Sequence, residues 1–367
     1  MSEIFTYLSN LFYRGGPSLS NVLYSPTVYN GAQRGRLRMN RRTFAAFALA
    51  ASVSALATLP ALAQDINFRV NVPGNQDGIA FRSVEHFNEV LKDKSGGSLG
   101  TKLFHSSALG DQESSIEAMQ SSILDMATIE TPITAVAPEL GAAALPYIFS
   151  SRAHVKAAMD GEAGQMIEAM LAEKGLRVVG FLEGGFRQIT NNVRPITTPE
   201  DLKGVKIRTP GSALRIAIFN HYGANASPLP FSELYSALQT GVYDGQENPV
   251  IWAQSTKFYE VQKYLSLTNH LYTVTYLLMA EDKFQSLTED QQAAVLAAGE
   301  AAEARSVELG IKADAEIVSF LEEAGMEVNE ADVEAFTAQS GQIWEDWAAE
   351  QGPDAQKLID LIRAADQ

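Results

Sequence analysis

The hydrophobic pattern alternates between two periods along most of the chain. Short apolar runs such as "INFRVNV", "LRVVGFLEGG" and "VKIRTP" have the length and composition of strands. Between them, "GIAFRSVEHFNEVLKDKSGG" and "FSELYSALQTG" carry apolar residues at helical spacing and end on glycine. Strands that alternate with helices at this distance are typical of an α/β chain with mainly parallel sheets.

Near the C-terminus the pattern becomes helical. The run "LTEDQQAAVLAAGEAAEARSVELGIKADAEIVSFLEEAG" opens with Thr288 and Gln291, which have the spacing of a capping box. This helix is too long for one small domain, so we expect it to run across two.

The N-terminus has the pattern of an export signal. In "MNRRTFAAFALAASVSALATLPALAQ", a basic start and a short apolar run precede "ALA", which predicts cleavage after Ala63 and a mature start at Gln64. This signal begins at its own Met39, so we interpret residues 1–38 as the product of a start codon assigned too early. A membrane anchor is the alternative, but the run is short. The arginine pair in "NRRTF" is compatible with the twin-arginine export route, so the sequence does not decide between this route and Sec export. The pattern predicts a periplasmic protein.

Composition narrows the possible partners. The 367 residues include 28 Lys+Arg and 44 Asp+Glu, a net charge of −16, and no cysteine. Loss of residues 1–63, with six arginines and one glutamate, brings the charge to −21. Such acidity argues against nucleic acid as a partner, and the missing cysteines exclude disulfides and thiolate chemistry.

Motifs for catalysis are weak. "GGSLG" at residues 96–100 matches the G-x-S-x-G pattern, but a helix precedes it and a strand follows, the reverse of a nucleophile elbow. The five histidines lack metal-ligand spacing, and no phosphate-binding glycine pattern occurs. These observations favour a binding protein with no cofactor and no metal over an enzyme.

Two arginines stand at positions suited to an anion. Arg208 ends the strand "VKIR" before a Pro-Gly-Ser turn, and Arg187 follows two glycines. "DGQENP" reads as a tight turn that presents the amide of Asn248. Ligands of open α/β sheets bind beyond the carboxyl ends of strands, where Glu130 is also expected. A guanidinium fork suits a carboxylate, although pairing of each arginine with a surface acid is the alternative.

Several of these stretches resemble one transporter family. "FRQITNNVRPITTPEDLKGVKIRTP", "PLPFSELYSALQTGVYDGQENP" and "KFYEVQKYLSLTNH" resemble the substrate-binding component of a tripartite ATP-independent periplasmic (TRAP) transporter of the DctP type. "ALGDQESSIEAMQSSILDMATIE" and "LPYIF" fit as well, so the resemblance covers roughly residues 66–367.

The resemblance implies a periplasmic binding protein fold of two α/β lobes, with a ligand cleft between them and one long helix spanning both. We expect residues 64–184 with 274–312 to form the first lobe, and residues 185–273 with 313–367 the second. It also implies a monomer that binds an organic acid and delivers it to the small and large subunits of a membrane permease, without chemistry on the acid.

The resemblance carries over site residues by motif. It implies that Arg208 and Arg187 contact a carboxylate, that Asn248 adds an amide, and that Phe231 forms an aromatic wall. Relatives that bind sialic acid use an acid at the position of Glu130 for substrate hydroxyls. Two weaker lining positions are Gln112 and Asn71.

Two departures shift the expected substrate. The sialic-acid branch has asparagine where this chain has Gly211 and arginine where it has Ile133. Sialic acid is therefore disfavoured against a uronate, a gluconate-like acid or a C4 dicarboxylate. Whether Gln246 and Glu247 bind a cation together with the acid is left open. A ligand-presenting sensor subunit and a periplasmic sugar-acid lyase or hydrolase are the alternative functions.

Overall fold

The structure is a computed structural model that describes residues 66–366. The predicted signal segment and its cleavage after Ala63 lie outside the described residues. The strands are β1 (Ile66–Asn71), β2 (Leu99–Phe104), β3 (Met126–Ile129), β4 (Leu176–Asn191), β5 (Lys206–Thr209), β6 (Asn225–Pro228), β7 (Gly245–Pro249), β8 (Tyr264–Ala280) and β9 (Glu327–Glu330).

The α-helices in this range are α1 (Ile79–Lys94), α2 (Gln112–Gln120), α3 (Arg152–Asp160), α4 (Glu162–Glu173), α5 (Ala213–His221), α6 (Leu234–Gln239), α7 (Val250–Ser255), α8 (Glu281–Gln285), α9 (Glu289–Glu323), α10 (Val333–Gln351) and α11 (Pro353–Ala364). Short 3₁₀ segments occur at Thr131–Ala135, Pro138–Ala144, Pro199–Leu202, Phe231–Glu233 and Phe258–Glu260. None of these helices is long and apolar enough to cross a membrane.

One sheet connects all nine strands, in the order β2-β1-β3-β8-β4-β7-β5-β6, with β9 beside β8. The predicted parallel pairing is present at both ends, where β1 pairs with β2 and β3, and β5 pairs with β6 and β7. The middle is antiparallel, because β4 and β8 run in opposite directions and pair along most of their length. The two long strands therefore join the two parallel ends.

These long strands are interrupted by irregular pairing. The register of β4 against β8 shifts at Val178/Gly180, at Glu183/Gly185 and at Arg187/Ile189. Such bulges bend a strand and increase its twist. Gly185 has a φ of +100°, a backbone conformation that favours glycine. The strand thus bends directly before Arg187.

The long helix α9 begins with the predicted capping box, in which Thr288 and Gln291 bond each other's backbone N–H. Its residues contribute to two hydrophobic cores. Val295 packs with the β1 and α1 side chains, whereas Leu321 packs with those of α6 and α7. The helix therefore contributes to two separate cores, as expected for a helix that runs across two domains.

The C-terminal helices return to the first half of the chain. Helix α11 packs against residues 138–144 and against α3 and α4, while α10 contacts α5 and β8. The segment 313–367 therefore contacts elements of both predicted lobes. The lobe boundaries at 184, 273 and 312 stay a prediction.

The prediction of a tight turn at "DGQENP" is wrong, because Gly245–Pro249 forms β7 between β4 and β5. Gly245 permits this close pairing, since a Cβ there would lie 2.3 Å from the Thr190 carbonyl oxygen. Gln246 donates from Nε2 to Thr190 Oγ1 at 2.9 Å, which satisfies a buried amide. Residue types that usually form turns here form a central strand, and this strand places polar side chains in the interior.

The "GGSLG" stretch ends a helix, as predicted. Gly96 and Gly97 have φ values of +60° and +85° directly after α1, and β2 follows. Left-handed glycines at this position terminate a helix. The serine of this motif therefore lies in a helix-to-strand turn.

Candidate functional site

The centre of the buried polar region is the carboxylate of Glu247 on β7. Arg187 on β4 donates to it from Nε and, at 3.1 Å, from Nη2. Arg215 on α5 donates from Nη1 at 2.8 Å, and His270 Nε2 lies 3.2 Å from the same oxygen. All four side chains are at most 2% exposed. Burial opposes ionisation, but the two guanidinium groups lower the pKa of Glu247 well below its ordinary range.

Arg187 has most of its donors engaged. Besides the Glu247 carboxylate, it donates from Nη1 to Thr273 Oγ1 at 2.8 Å and from Nη2 to Asn248 Oδ1 at 2.9 Å. It lies within the long strand β4, which continues past the two glycines that precede this residue. Arg187 and Asn248, both predicted to contact the ligand, are thus in direct contact with each other. Arg187 is thus fixed in orientation by its own strand neighbours.

Arg208 on β5 lies next to β7, in register with Gln246. Its Nε donates to the Leu229 carbonyl oxygen at 2.8 Å, and Nη2 donates to the same oxygen. Among the described residues, Nη1 has no hydrogen-bond partner and the side chain forms no ion pair within 4.0 Å. The residue is 2% exposed, and burial lowers its pKa to about 10, so it stays charged at neutral pH.

Glu130 and Gln112 come from the other end of the sheet and lie against each other. Glu130 follows β3 directly, as predicted, and its backbone N–H donates to Gln112 Oε1 at 2.6 Å. Thr275 Oγ1 donates to Glu130 Oε1 at 3.3 Å, and Arg187 Nη1 lies 3.9 Å from Oε2. Burial raises the pKa of Glu130, with Arg187 opposing the change. The structure therefore brings Glu130, Gln112 and Arg187 together.

Asn71 holds a loop in place. Its Nδ2 donates to the Gly110 carbonyl and to Ser115 Oγ, both at 2.9 Å, and its Oδ1 accepts from the Leu109 N–H at 3.3 Å. Each polar atom of the amide thus has a protein partner. Asn71 positions the segment that carries Gln112.

Phe231 connects Arg208 to a hydrophobic core. Its ring centroid is 6.0 Å from the Arg208 guanidinium carbon and 4.9 Å from the Trp252 ring in an edge-to-face arrangement. The side chain is half-buried. It lies at the border between the polar interior and the core that contains Trp252.

Sequence reasoning missed Arg215 and His270, and it left Glu247 open as a cation ligand. The available signal for Arg215 was a lone cation within the apolar helix "ALRIAIF". No local pattern marks His270, which meets Glu247 only through the sheet. The oxygens of Glu247 are occupied by cationic and imidazole side chains, so arginines take the place of the cation considered for this residue.

A second buried acid lies beside the bend in β4. Glu183 accepts from Arg152 Nε at 3.0 Å and from the Tyr272 hydroxyl, and its backbone N–H donates to Ser306 on α9 at 2.7 Å. Arg152 also reaches Asp314 at 2.7 Å. Burial raises the pKa of Glu183, with Arg152 opposing the change. This cluster ties α3, both long strands and α9 together.

Comparison with known proteins identifies the family. Residues 73–351 match the model of the bacterial extracellular solute-binding protein family 7, DctP. The 2,3-diketo-L-gulonate-binding periplasmic protein YiaO of Escherichia coli is 32% identical over 333 residues, which cover 90% of this chain and 99% of that protein.

Solved structures agree with this match. A TRAP solute-binding protein from Sulfitobacter sp. NAS-14.1 with bound β-D-galacturonate is 33% identical, with a TM-score of 0.78 over 81% of this chain and 99% of that one. One from Roseobacter denitrificans with bound L-galactonate is 32% identical, with a TM-score of 0.76 over 80% and 99%. Both have the two-lobe fold of periplasmic binding proteins. The chain therefore belongs to family 7 of the bacterial extracellular solute-binding proteins, the DctP-type substrate-binding components of TRAP transporters.

Proposed function

We propose that this chain binds a small hydroxy or sugar acid in the interlobe cleft, holds the carboxylate with Arg208, and delivers the acid to a TRAP membrane permease. Its similarity to proteins solved with galacturonate and galactonate supports the ligand class. Family membership supports transport over a sensor subunit or a sugar-acid lyase or hydrolase, and predicts that the acid leaves unchanged.

The observation that carries the proposal is the unbalanced charge of Arg208. Glu247 neutralises part of the charge of Arg187 and Arg215, but Arg208 has no acid within 4.0 Å among the described residues. A buried unpaired charge costs several kcal/mol. A ligand carboxylate supplies the missing partner, and Nη1 is available for it.

The net charge of the protein does not attract the acid. The net charge of −16 opposes an anion at long range, so attraction must be local. The Leu229 carbonyl oxygen accepts from Nε and Nη2 of Arg208, so Nη1 and the second N–H of Nη2 remain for a ligand carboxylate. Two such N–H groups match the two oxygens of a carboxylate. A lysine cannot reproduce both the carbonyl contact and this pair.

Calorimetry with a panel of uronates and aldonates, including D-galacturonate and galactonate, tests the proposal. We expect Arg208→Lys to weaken binding substantially. Arg208→Ala should lose about 2–5 kcal/mol, the range for truncating one partner of a buried charge pair. Arg82→Ala is the matched control, because Arg82 is exposed on α1. If Arg208→Ala binds like the parent protein, Arg208 does not hold the carboxylate.

Prolonged incubation separates the transport proposal from the enzymatic alternative. The purified protein should return the bound acid unchanged after many hours, as measured by mass spectrometry of the ligand. Turnover of the acid by the parent protein, but not by Arg208→Ala, would establish the lyase or hydrolase alternative.

A further inference from the structure

The carboxylate of Glu113 has no partner from another residue, and it lies against the turn that follows Arg208. It lies in the first turn of α2 and is half-buried. Its own backbone N–H bonds the carboxylate, and no other residue among 66–366 forms a hydrogen bond or ion pair with it. Its Oε1 would lie only 2.9 Å from a Cβ at Gly211. The glycine therefore leaves room for the carboxylate.

Arg208 and Glu113 lie near each other without forming an ion pair. The positive charge of Arg208 acts on Glu113, yet no nitrogen of the guanidinium lies within 4.0 Å of the carboxylate. Burial raises the pKa of Glu113 and the charge of Asp111 adds to the rise, whereas its own backbone N–H and Arg208 oppose it. The two opposite charges are therefore close enough to act on each other, but neither neutralises the other by direct contact.

Arg208 and Glu113 can form hydrogen bonds with different kinds of atom on one ligand. Arg208 offers only donors and takes an acceptor, whereas an ionised Glu113 offers only acceptors and takes a donor. A carboxylate with a hydroxyl on the neighbouring carbon presents both within a few ångströms. A simple carboxylate would place an oxygen anion near Glu113 with no donor between them.

We propose that Glu113 is a specificity-determining residue that accepts a hydrogen bond from the hydroxyl adjacent to the carboxylate of the acid, and that Gly211 makes the room it needs. The inference rests on the proposed role of Arg208 as the carboxylate site. It narrows the ligand to 2-hydroxy acids.

Galactonate and 2-deoxygalactonate are the probes, since they differ in this hydroxyl alone. By calorimetry the parent protein should prefer galactonate by about 10- to 100-fold, as expected for a hydrogen bond to a charged acceptor. In Glu113→Ala, the dissociation constants of the two acids should differ by no more than about 3-fold. This substitution should leave 2-deoxygalactonate binding unchanged or tighter. Gly211→Ala should reduce the preference in the same direction, because the added methyl displaces the carboxylate.

Glu117→Ala is the matched control, because Glu117 is exposed one turn further along α2. It should keep the preference of the parent. The inference is overturned if the parent does not prefer galactonate, if Glu113→Ala keeps the preference, or if Glu113→Ala weakens both acids equally. Failure of the proposed function has another signature, namely Arg208→Ala binding both acids as tightly as the parent.

Discussion

Glu247 is the residue on which the polar interior depends. Two arginines and one histidine from three different elements converge on its carboxylate. Removing one member of a buried ion-pair network leaves the others uncompensated. Arg187 and Arg215 are therefore oriented by the protein itself, and this arrangement makes the buried polar region around β7 rigid.

We expect Glu247→Gln to destabilise the fold by about 3–5 kcal/mol at pH 7, since it leaves two buried guanidinium groups without an anion. The penalty should depend on pH. The folded pKa of Glu247 is depressed, so its contribution is present above the ordinary value of 4.5 and is lost as the pH falls. At pH 3, about 1.5 units lower, the difference between parent and variant should shrink by about 2 kcal/mol.

Urea unfolding of both proteins at pH 7 and pH 3 measures this effect. Glu117→Gln, at an exposed position, should match the parent at both pH values. A constant difference between parent and Glu247→Gln across the two pH values would show that the carboxylate has an ordinary pKa and that the arginines do not hold it.

At the same scale, sequence patterns found some site residues and missed others for a physical reason. Arg208 and Glu130 stand at strand ends, where local spacing predicts exposure to a ligand. Arg215 and His270 acquire their roles only through contacts across the sheet. Local periodicity carries no information on such long-range pairs.

At the scale of elements, β7 is where sequence and structure differ most. Gly, Asn and Pro close together are a turn signal, but here each is compatible with a buried strand for its own reason. Gly245 allows close pairing, the Asn248 amide accepts from Arg187, and Pro249 stands at the strand end. Tertiary hydrogen bonds decided the conformation.

The packing of α9 on the long strands allows a sharp test. A Cβ at Gly299 would lie 1.8 Å from the Val179 carbonyl oxygen, so Gly299→Ala must push the helix away from β4. Helix propensity alone favours the alanine by about 1 kcal/mol. We expect the contact to outweigh this gain and the variant to lose about 1–3 kcal/mol, the range for overpacking.

Gly341→Ala on α10 is the matched control, because a Cβ there meets nothing within 4 Å. It should raise stability by roughly 0.5–1 kcal/mol. Thermal unfolding of the two variants gives the answer. Stabilisation by both substitutions would mean that α9 does not approach the strand as closely as described.

At the scale of the whole molecule, hydrophobic periodicity was sufficient to predict the α/β class and the long helix. It did not predict that a single sheet connects the two parallel ends through β4 and β8. Strand pairing over such separations depends on bends at residues such as Gly185, which periodicity does not register. The net negative charge also acts at this scale. Because it repels an anion at long range, binding of an anion must depend on groups inside the fold.

The most direct test of this account is a crystal structure of the protein with the acid that binds most tightly in the calorimetric panel. We predict that the carboxylate of that acid lies within hydrogen-bond distance, about 2.7–3.2 Å, of Arg208 Nη1, with Arg187 still paired to Glu247. An acid bound elsewhere, or bound in the cleft with its carboxylate away from Arg208, would contradict the account.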